Sequence, residues 1–191
     1  MARWSRRRKL LCVAPLALGV AALLGLAAHL GLSTSRRNFG CVVAGVLYRS
    51  GQPGRASLDA WVPRYGIRTI VNLRTPQALA KDRDAHEEAA FVQERNIKFV
   101  LLPMTPETYA RSAAKFRELM ADRSNHPVLV HCAKGKERTG VLVADYRISF
   151  DGWSAEQAIR EAHAHGLDPD KVTHMVAFIR EWAARAAAAP R

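Results

Sequence analysis

One stretch of the chain limits its fold more than any other. Pro127-Val128-Leu129-Val130 is an apolar run of strand type, and Val141-Leu142-Val143-Ala144 is an apolar run of helix type. Only the ten residues from His131 to Gly140 separate them. A strand that passes through so short a loop into a helix is the connection of an α/β domain. Its sheet is largely parallel, its helices cover both faces, and its ligands gather at the carboxyl ends of the strands. Other strand-type runs agree with this class: Val42–Leu47, Thr69–Leu73, Lys98–Leu102 and Val128–His131.

Helix-type segments alternate with these runs. Thr75-Pro76, Thr105-Pro106 and Asp168-Pro169 each place proline where a first helical residue is favoured. Ser154 and Gln157 have the spacing of a capping box. Ala113, Phe116, Leu119 and Met120 form one apolar helical face, and Met175, Phe178, Ile179 and Trp182 another. Both stripes are expected to be core.

The connecting loop reads His131-Cys132-Ala133-Lys134-Gly135-Lys136-Glu137-Arg138-Thr139-Gly140. A loop between a strand and a helix N-terminus directs backbone N–H groups at an anion, and the helix dipole adds to the attraction. The N–H groups from Ala133 to Arg138, Glu137 included, are expected to surround the oxygens of a phosphoryl group. Cys132 stands at the floor as a nucleophile, which requires the thiolate; a helix N-terminus and nearby cations favour that form. Arg138 supplies a planar fork for two oxygens, which lysine cannot provide. Gly135 lets the loop curl, Thr139 is expected to donate its hydroxyl to the sulfur, and His131 to shape the loop. Lys134 and Lys136 carry more charge than one phosphoryl group needs and suggest a polyanionic substrate.

Cys-x5-Arg followed by Thr-Gly resembles the signature of the protein tyrosine phosphatase superfamily, most closely its dual-specificity-like bacterial branch. The resemblance runs from about Val46 to about Ala164. It includes Tyr48-Arg49-Ser50-Gly51-Gln52-Pro53, Gly66 to Arg74, Arg147 and Gly152-Trp153-Ser154. It implies the cysteine phosphatase fold and a two-step reaction in which a phosphocysteine forms and water then hydrolyses it. It implies neither cofactor nor metal.

In that superfamily a loop aspartate before the signature donates the leaving-group proton. Here the corresponding segment reads Pro103-Met104-Thr105-Pro106-Glu107-Thr108, and Glu107 is its one carboxylate. Glu107 is the candidate acid, a role that needs its pKa raised by partial burial. Asp82, Asp84 and Asp168 are the reserves. Arg49, Arg74 and Arg147 either extend a basic field around the site or serve as structural partners.

Other site types fit poorly. Gly135-Lys136 is followed by Glu137, and position 130 is valine, so the loop is not of Walker type. Cys12, Cys41 and Cys132 lack metal-finger spacing, and His163, His165 and His174 have no suitably spaced acidic or cysteine partner.

The first residues have a different character. Residues 1–9 are basic, and Leu10–Leu32 carries no Asp, Glu, Lys or Arg over twenty-three positions. At ~1.5 Å per residue this run can cross a hydrocarbon core of about 30 Å. Its length favours an uncleaved anchor over a signal peptide, whose apolar core is shorter. The basic excess before the run orients the catalytic domain outward from the inner membrane, into the periplasm or the cell exterior. The expected order is then linker and first strand region at 33–45, phosphatase domain at 46–185 and a fraying terminus at 186–191.

Seven of the twelve excess positive charges fall within residues 1–37, leaving +5 on the rest. That moderate balance suits phosphorylated proteins, anionic lipids or inositol phosphates. Nucleic-acid binding would need a clearer basic and aromatic surface. Export also sets a condition, since Cys41 must not pair with Cys132; the two are expected to remain apart. A phosphatase acting on protein or on lipid and inositol phosphates, and a phosphate-binding pseudophosphatase, all fit these residues.

Overall fold

The computed structural model describes residues 37–188. The basic segment and the Leu10–Leu32 run lie outside them. Among the described residues, no helix is long and apolar enough to cross a membrane.

Five strands form one mixed sheet: β1 (Gly40–Val43), β2 (Leu47–Ser50), β3 (Thr69–Asn72), β4 (Lys98–Leu101) and β5 (Val128–His131). Their order is β1-β2-β5-β3-β4, parallel throughout except for the antiparallel β1–β2 pair. The run Val42–Leu47, expected as one strand, instead spans the end of β1, a hairpin turn at residues 44–46 and the first residue of β2. Val46 N–H bonds to the Val43 carbonyl, and Gly45 adopts φ 71°, which a residue with a Cβ enters at a cost. The sheet therefore begins at Gly40, within the segment read as linker and first strand region.

Among the described residues, seven α-helices accompany the sheet: α1 (Arg55–Tyr65), α2 (Pro76–Leu79), α3 (Arg83–Glu94), α4 (Tyr109–Ala121), α5 (Glu137–Phe150), α6 (Ala155–Ala164) and α7 (Thr173–Ala188). Alternation along the strands sorts their side chains between two cores. Leu47, Val71, Val128 and Val130 join Phe116, Val141, Leu142, Ala158 and Ile179 from α4 to α7. Tyr48, Ile70 and Leu129 join Leu58, Trp61 and Phe91 from α1 and α3. Phe116 is fully buried, and truncation to alanine at such a site costs about 3–5 kcal/mol. Both expected apolar stripes lie in the first core, with Leu119, Phe178 and Trp182 at its margin.

Helix starts follow side-chain chemistry. Ser154 and Gln157 form the capping box, and Thr75 caps α2. Thr105-Pro106 and Asp168-Pro169 do not open helices. They form turns, and α4 and α7 start later, at Tyr109 and Thr173. The competing bonds are local: Thr108 Oγ1 accepts from Thr105 N–H at 2.8 Å and donates to the Pro103 carbonyl at 2.8 Å. Asp168 Oδ1 accepts from Asp170 N–H at 3.2 Å. Such bonds offer the backbone an alternative to helix.

Candidate active site

The central strand β5 ends at His131, opposite Ser50 of β2 and Asn72 of β3. The next residue, Cys132, is buried at 1% exposure and is a free thiol. The chain then curls so that Gly135 N–H donates to Cys132 Sγ at 3.3 Å. Gly135 sits at φ 70°, and a Cβ there would lie 2.5 Å from Ser50 C and Gly51 N. Only glycine fits this contact.

Helix α5 begins at Glu137, so Arg138 belongs to its first turn. Among the described residues, the backbone N–H groups of Ala133, Lys134, Lys136, Glu137 and Arg138 donate to no protein acceptor. They remain available to an anion above the sulfur, where the N-terminal end of α5 adds its dipole.

The segment after β2 forms the back wall of the loop. Gln52 N–H bonds to the Ala133 carbonyl at 3.0 Å. Asn38 Nδ2 donates to the carbonyls of Gly135 and His165, each at 2.8 Å, and Arg49 Nη2 donates to the Gly135 carbonyl at 2.6 Å. The Tyr48-to-Pro53 motif thus touches the signature directly.

Beneath the loop lies a buried polar network that sequence reasoning missed. His131 Nδ1 lies 3.3 Å from the Cys132 carbonyl. Its Nε2 lies 2.8 Å from Glu88 Oε1, although not along the N–H direction. Glu88 Oε2 accepts from Asn72 Nδ2 at 2.9 Å and Gln52 Nε2 at 3.0 Å. Burial by itself would raise the Glu88 carboxyl, but His131, Gln52 and Asn72 together hold it below the usual range. Glu88 shares the buried face of α3 with Ala85, Phe91 and Val92, a position that its charge alone does not suggest.

The remaining expected residues divide sharply. Arg138 is half-buried, and its Nη1 lies 3.4 Å from the Leu73 carbonyl, which also accepts from Met104 N–H at 3.1 Å. Arg138 is thereby placed between the cradle and the Pro103–Thr108 segment. Thr139 is buried, but its hydroxyl has no partner among the described residues, so the expected bond to the sulfur is not formed. Gly135 N–H occupies that role instead. Lys134 and Lys136 are both exposed. Lys136 runs along Gly166, where a Cβ would lie 3.0 Å from its Cδ and Cε, while no contact engages the Lys134 ammonium among the described residues.

Glu107 does not satisfy the requirement for an acid. It is exposed, and the Thr105 hydroxyl holds its carboxyl below the usual range, the opposite of the raised pKa that the role requires. The reserve carboxylates are engaged elsewhere. Asp82 caps α3 and pairs with Arg74 at 2.6 Å, Asp84 pairs with Arg37 at 2.6 Å, and Asp168 pairs with Lys171 at 2.8 Å.

Arg74 and Arg147 are structural. Arg74 donates to Gln52, Asp82 and the Ala78 carbonyl, and Arg147 lies between Glu161, Asp151 and the Val42 carbonyl. Cys41 is exposed on β1 and free. His163 Nδ1 lies 3.0 Å from the Leu167 carbonyl, and His174 Nε2 lies 3.3 Å from the Tyr109 hydroxyl.

Comparison with known proteins gives a consistent result. A family model described as "DSP-PTPase phosphatase fused to NAD+ Kinase" matches residues 38–180. The dual specificity protein phosphatase TpbA of Pseudomonas aeruginosa is 31% identical over 137 residues, 70% of this chain and 58% of the relative. The inositol diphosphatase DSP3 of Arabidopsis thaliana is 28% identical over 134 residues, 65% of this chain and 60% of the relative. The chain thus spans less than two thirds of the length of both relatives. Among solved structures, P. aeruginosa TpbA in complex with pTyr superposes with a TM-score of 0.58 at 26% identity, covering 75% of this chain and 87% of that one.

Proposed function

Because the chain belongs to the DSP-PTPase phosphatase family, we propose that it hydrolyses phosphomonoesters through a phosphocysteine formed on Cys132. In the first step the thiolate attacks phosphorus, an S–P bond forms and the bond to the leaving oxygen breaks. Arg138 and the loop N–H groups hold the three remaining oxygens as charge develops on them. In the second step water attacks phosphorus, the S–P bond breaks, and the thiolate returns with inorganic phosphate released. The observation that carries this reading is the contact at 3.3 Å from Gly135 N–H to a buried Cys132 sulfur at the mouth of α5. A hydrogen bond to the sulfur favours the anion that must attack and later leave.

The state of Glu107 bears on the substrate. A carboxylate held ionised cannot protonate a leaving alkoxide, so groups that depart readily as anions are favoured. A phenol, with a pKa of about 10, meets this condition far better than the aliphatic hydroxyl of serine. Phosphotyrosine in proteins is therefore the first substrate class, in keeping with the resemblance to TpbA. A diphosphate meets it too, since its leaving group is itself a phosphate. The exposed Lys134 at the loop and the resemblance to an inositol diphosphatase support inositol phosphates as the second class.

The apolar Leu10–Leu32 run supports membrane anchoring, with the catalytic domain outside the inner membrane. The deciding experiment is phosphate release by the purified protein, with chelator present, from phosphotyrosine and phosphoserine peptides, aryl phosphates and inositol polyphosphates. The expected result is turnover of aryl phosphates well above phosphoserine, abolished by Cys132→Ser. Absence of release from every substrate would leave the pseudophosphatase reading in its place.

A further inference from the structure

A buried guanidinium without a carboxylate stands behind the Cys132 loop. It belongs to Arg49 of β2, which is 1% exposed. Nη2 is bonded to the Gly135 carbonyl at 2.6 Å, while Nε and Nη1 are buried without a hydrogen-bond partner among the described residues. The carboxylate whose field reaches it, Glu161, is held by Arg147 at 2.7 Å. Arginine stays charged in proteins, and a buried cation lacking a paired anion is costly. Natural sequences keep such groups where they serve a site.

We propose that Arg49 is a positioning residue for Cys132: by holding the Gly135 carbonyl from behind, it keeps Gly135 in the turn that presents its N–H to the sulfur, and its charge favours the thiolate. The inference rests on Cys132 being the nucleophile.

Several observations support it together. The Gly135 carbonyl is fixed by Arg49 and Asn38 on one side, while the Gly135 N–H reaches Sγ on the other. Burial pushes the Arg49 guanidinium down to about 10, and the fields of Glu161 and of the Cys132 sulfur act against that shift.

The other groups around the sulfur do not duplicate this role. Lys134 and Lys136 are exposed, with Lys136 running along Gly166, and Arg138 Nη1 lies 3.4 Å from the Leu73 carbonyl. His131 is in contact with the Glu88 carboxylate. His165, after α6, is pushed down by burial and then by Arg49, which favours its neutral form.

The test is the pH dependence of Cys132 alkylation by iodoacetamide, read by mass spectrometry on the Cys132 peptide so that Cys41 does not interfere. This measurement requires no turnover, so it separates failure of the inference from failure of the phosphatase reading. In Arg49→Gln the alkylation midpoint is expected to rise by about one pH unit, and kcat/KM at pH 6 to fall about tenfold. The deficit should shrink as pH rises and the thiolate forms regardless. Arg49→Lys keeps the charge and is expected to return the midpoint to within about half a unit of wild type.

A folded Arg49→Gln variant with the wild-type midpoint would overturn the proposal. So would equal displacement of the Gln and Lys variants. Should the Gln variant fail to fold, Arg49→Met takes its place with the same readings: a raised midpoint supports the proposal, and the wild-type midpoint overturns it.

Discussion

Two loops border the cradle, and they are built in opposite ways. The loop from Cys132 to Arg138 is held from outside itself. Gly135 presses on the backbone of Ser50 and Gly51, the Ala133 carbonyl is bonded to Gln52, and Arg49 and Asn38 hold the Gly135 carbonyl. The loop from Pro103 to Thr108 is bonded largely to itself, through Thr105 and Thr108, and is tied to the sheet through Met104. Its carboxylate, Glu107, faces solvent. External support preorganises a charge-stabilising site, since donors held in place need no rearrangement as the reaction proceeds. Self-bonded turns give no such assurance. The nucleophile and phosphate clamp are therefore built in, whereas leaving-group protonation depends on the substrate.

Substitutions in the two loops should have effects of very different size. Gly135→Ala forces a Cβ against backbone atoms and a left-handed φ on alanine. A loss of about 2–5 kcal/mol in unfolding free energy is expected from the combined strain, read by denaturant titration; a loss below about 1 kcal/mol would mean that the loop tolerates displacement. Arg138→Lys keeps the charge but loses the planar fork, and kcat/KM on an aryl phosphate should fall by about a hundredfold, close to 2.7 kcal/mol. Retention of most activity would show that the cradle N–H groups suffice.

Glu88→Gln tests the support below the loop and is expected to cost about 1–3 kcal/mol at pH 7. The Glu88 carboxyl is depressed in the fold, so its contribution is present above the unfolded carboxylate value, about 4.3, and is lost as pH falls through the folded value. The gap between wild type and variant should thus narrow in acid, as urea titrations at several pH values would reveal. A gap that is constant with pH would assign the effect to packing. The smallest effect belongs to Glu107→Gln, expected to change kcat by less than about twofold and to leave the alkaline limb of its pH profile in place. Loss of that limb would restore Glu107 as the acid.

The Cys132 loop was legible because its information is local. Strand, loop and helix follow one another, and the chemistry lies within ten residues. The central strands were legible for a related reason, since β3 and β5 are buried on both faces and carry consecutive apolar residues, Ile70-Val71 and Val128-Leu129-Val130. The β1–β2 hairpin was not, because its turn at Ala44–Val46 is as apolar as the strands on either side. The turns at Pro106 and Pro169 were hidden because proline at a first helical position and proline in a turn look alike until the neighbouring side-chain bonds are known. Glu88 is 1% exposed although a carboxylate is ordinarily solvated, and Arg49 is defined by a contact 86 residues away. Contacts of that kind leave no periodic trace in a sequence.

The account depends on the Cys132 sulfur as the atom that takes the phosphoryl group. Rapid acid quench during turnover of an aryl phosphate, followed by peptide mass spectrometry, reads this directly. The expected result is phosphate on the Cys132 peptide in the wild-type protein and none on that peptide in Cys132→Ser. Turnover without a phosphorylated Cys132 peptide, or turnover that survives Cys132→Ser, would contradict it.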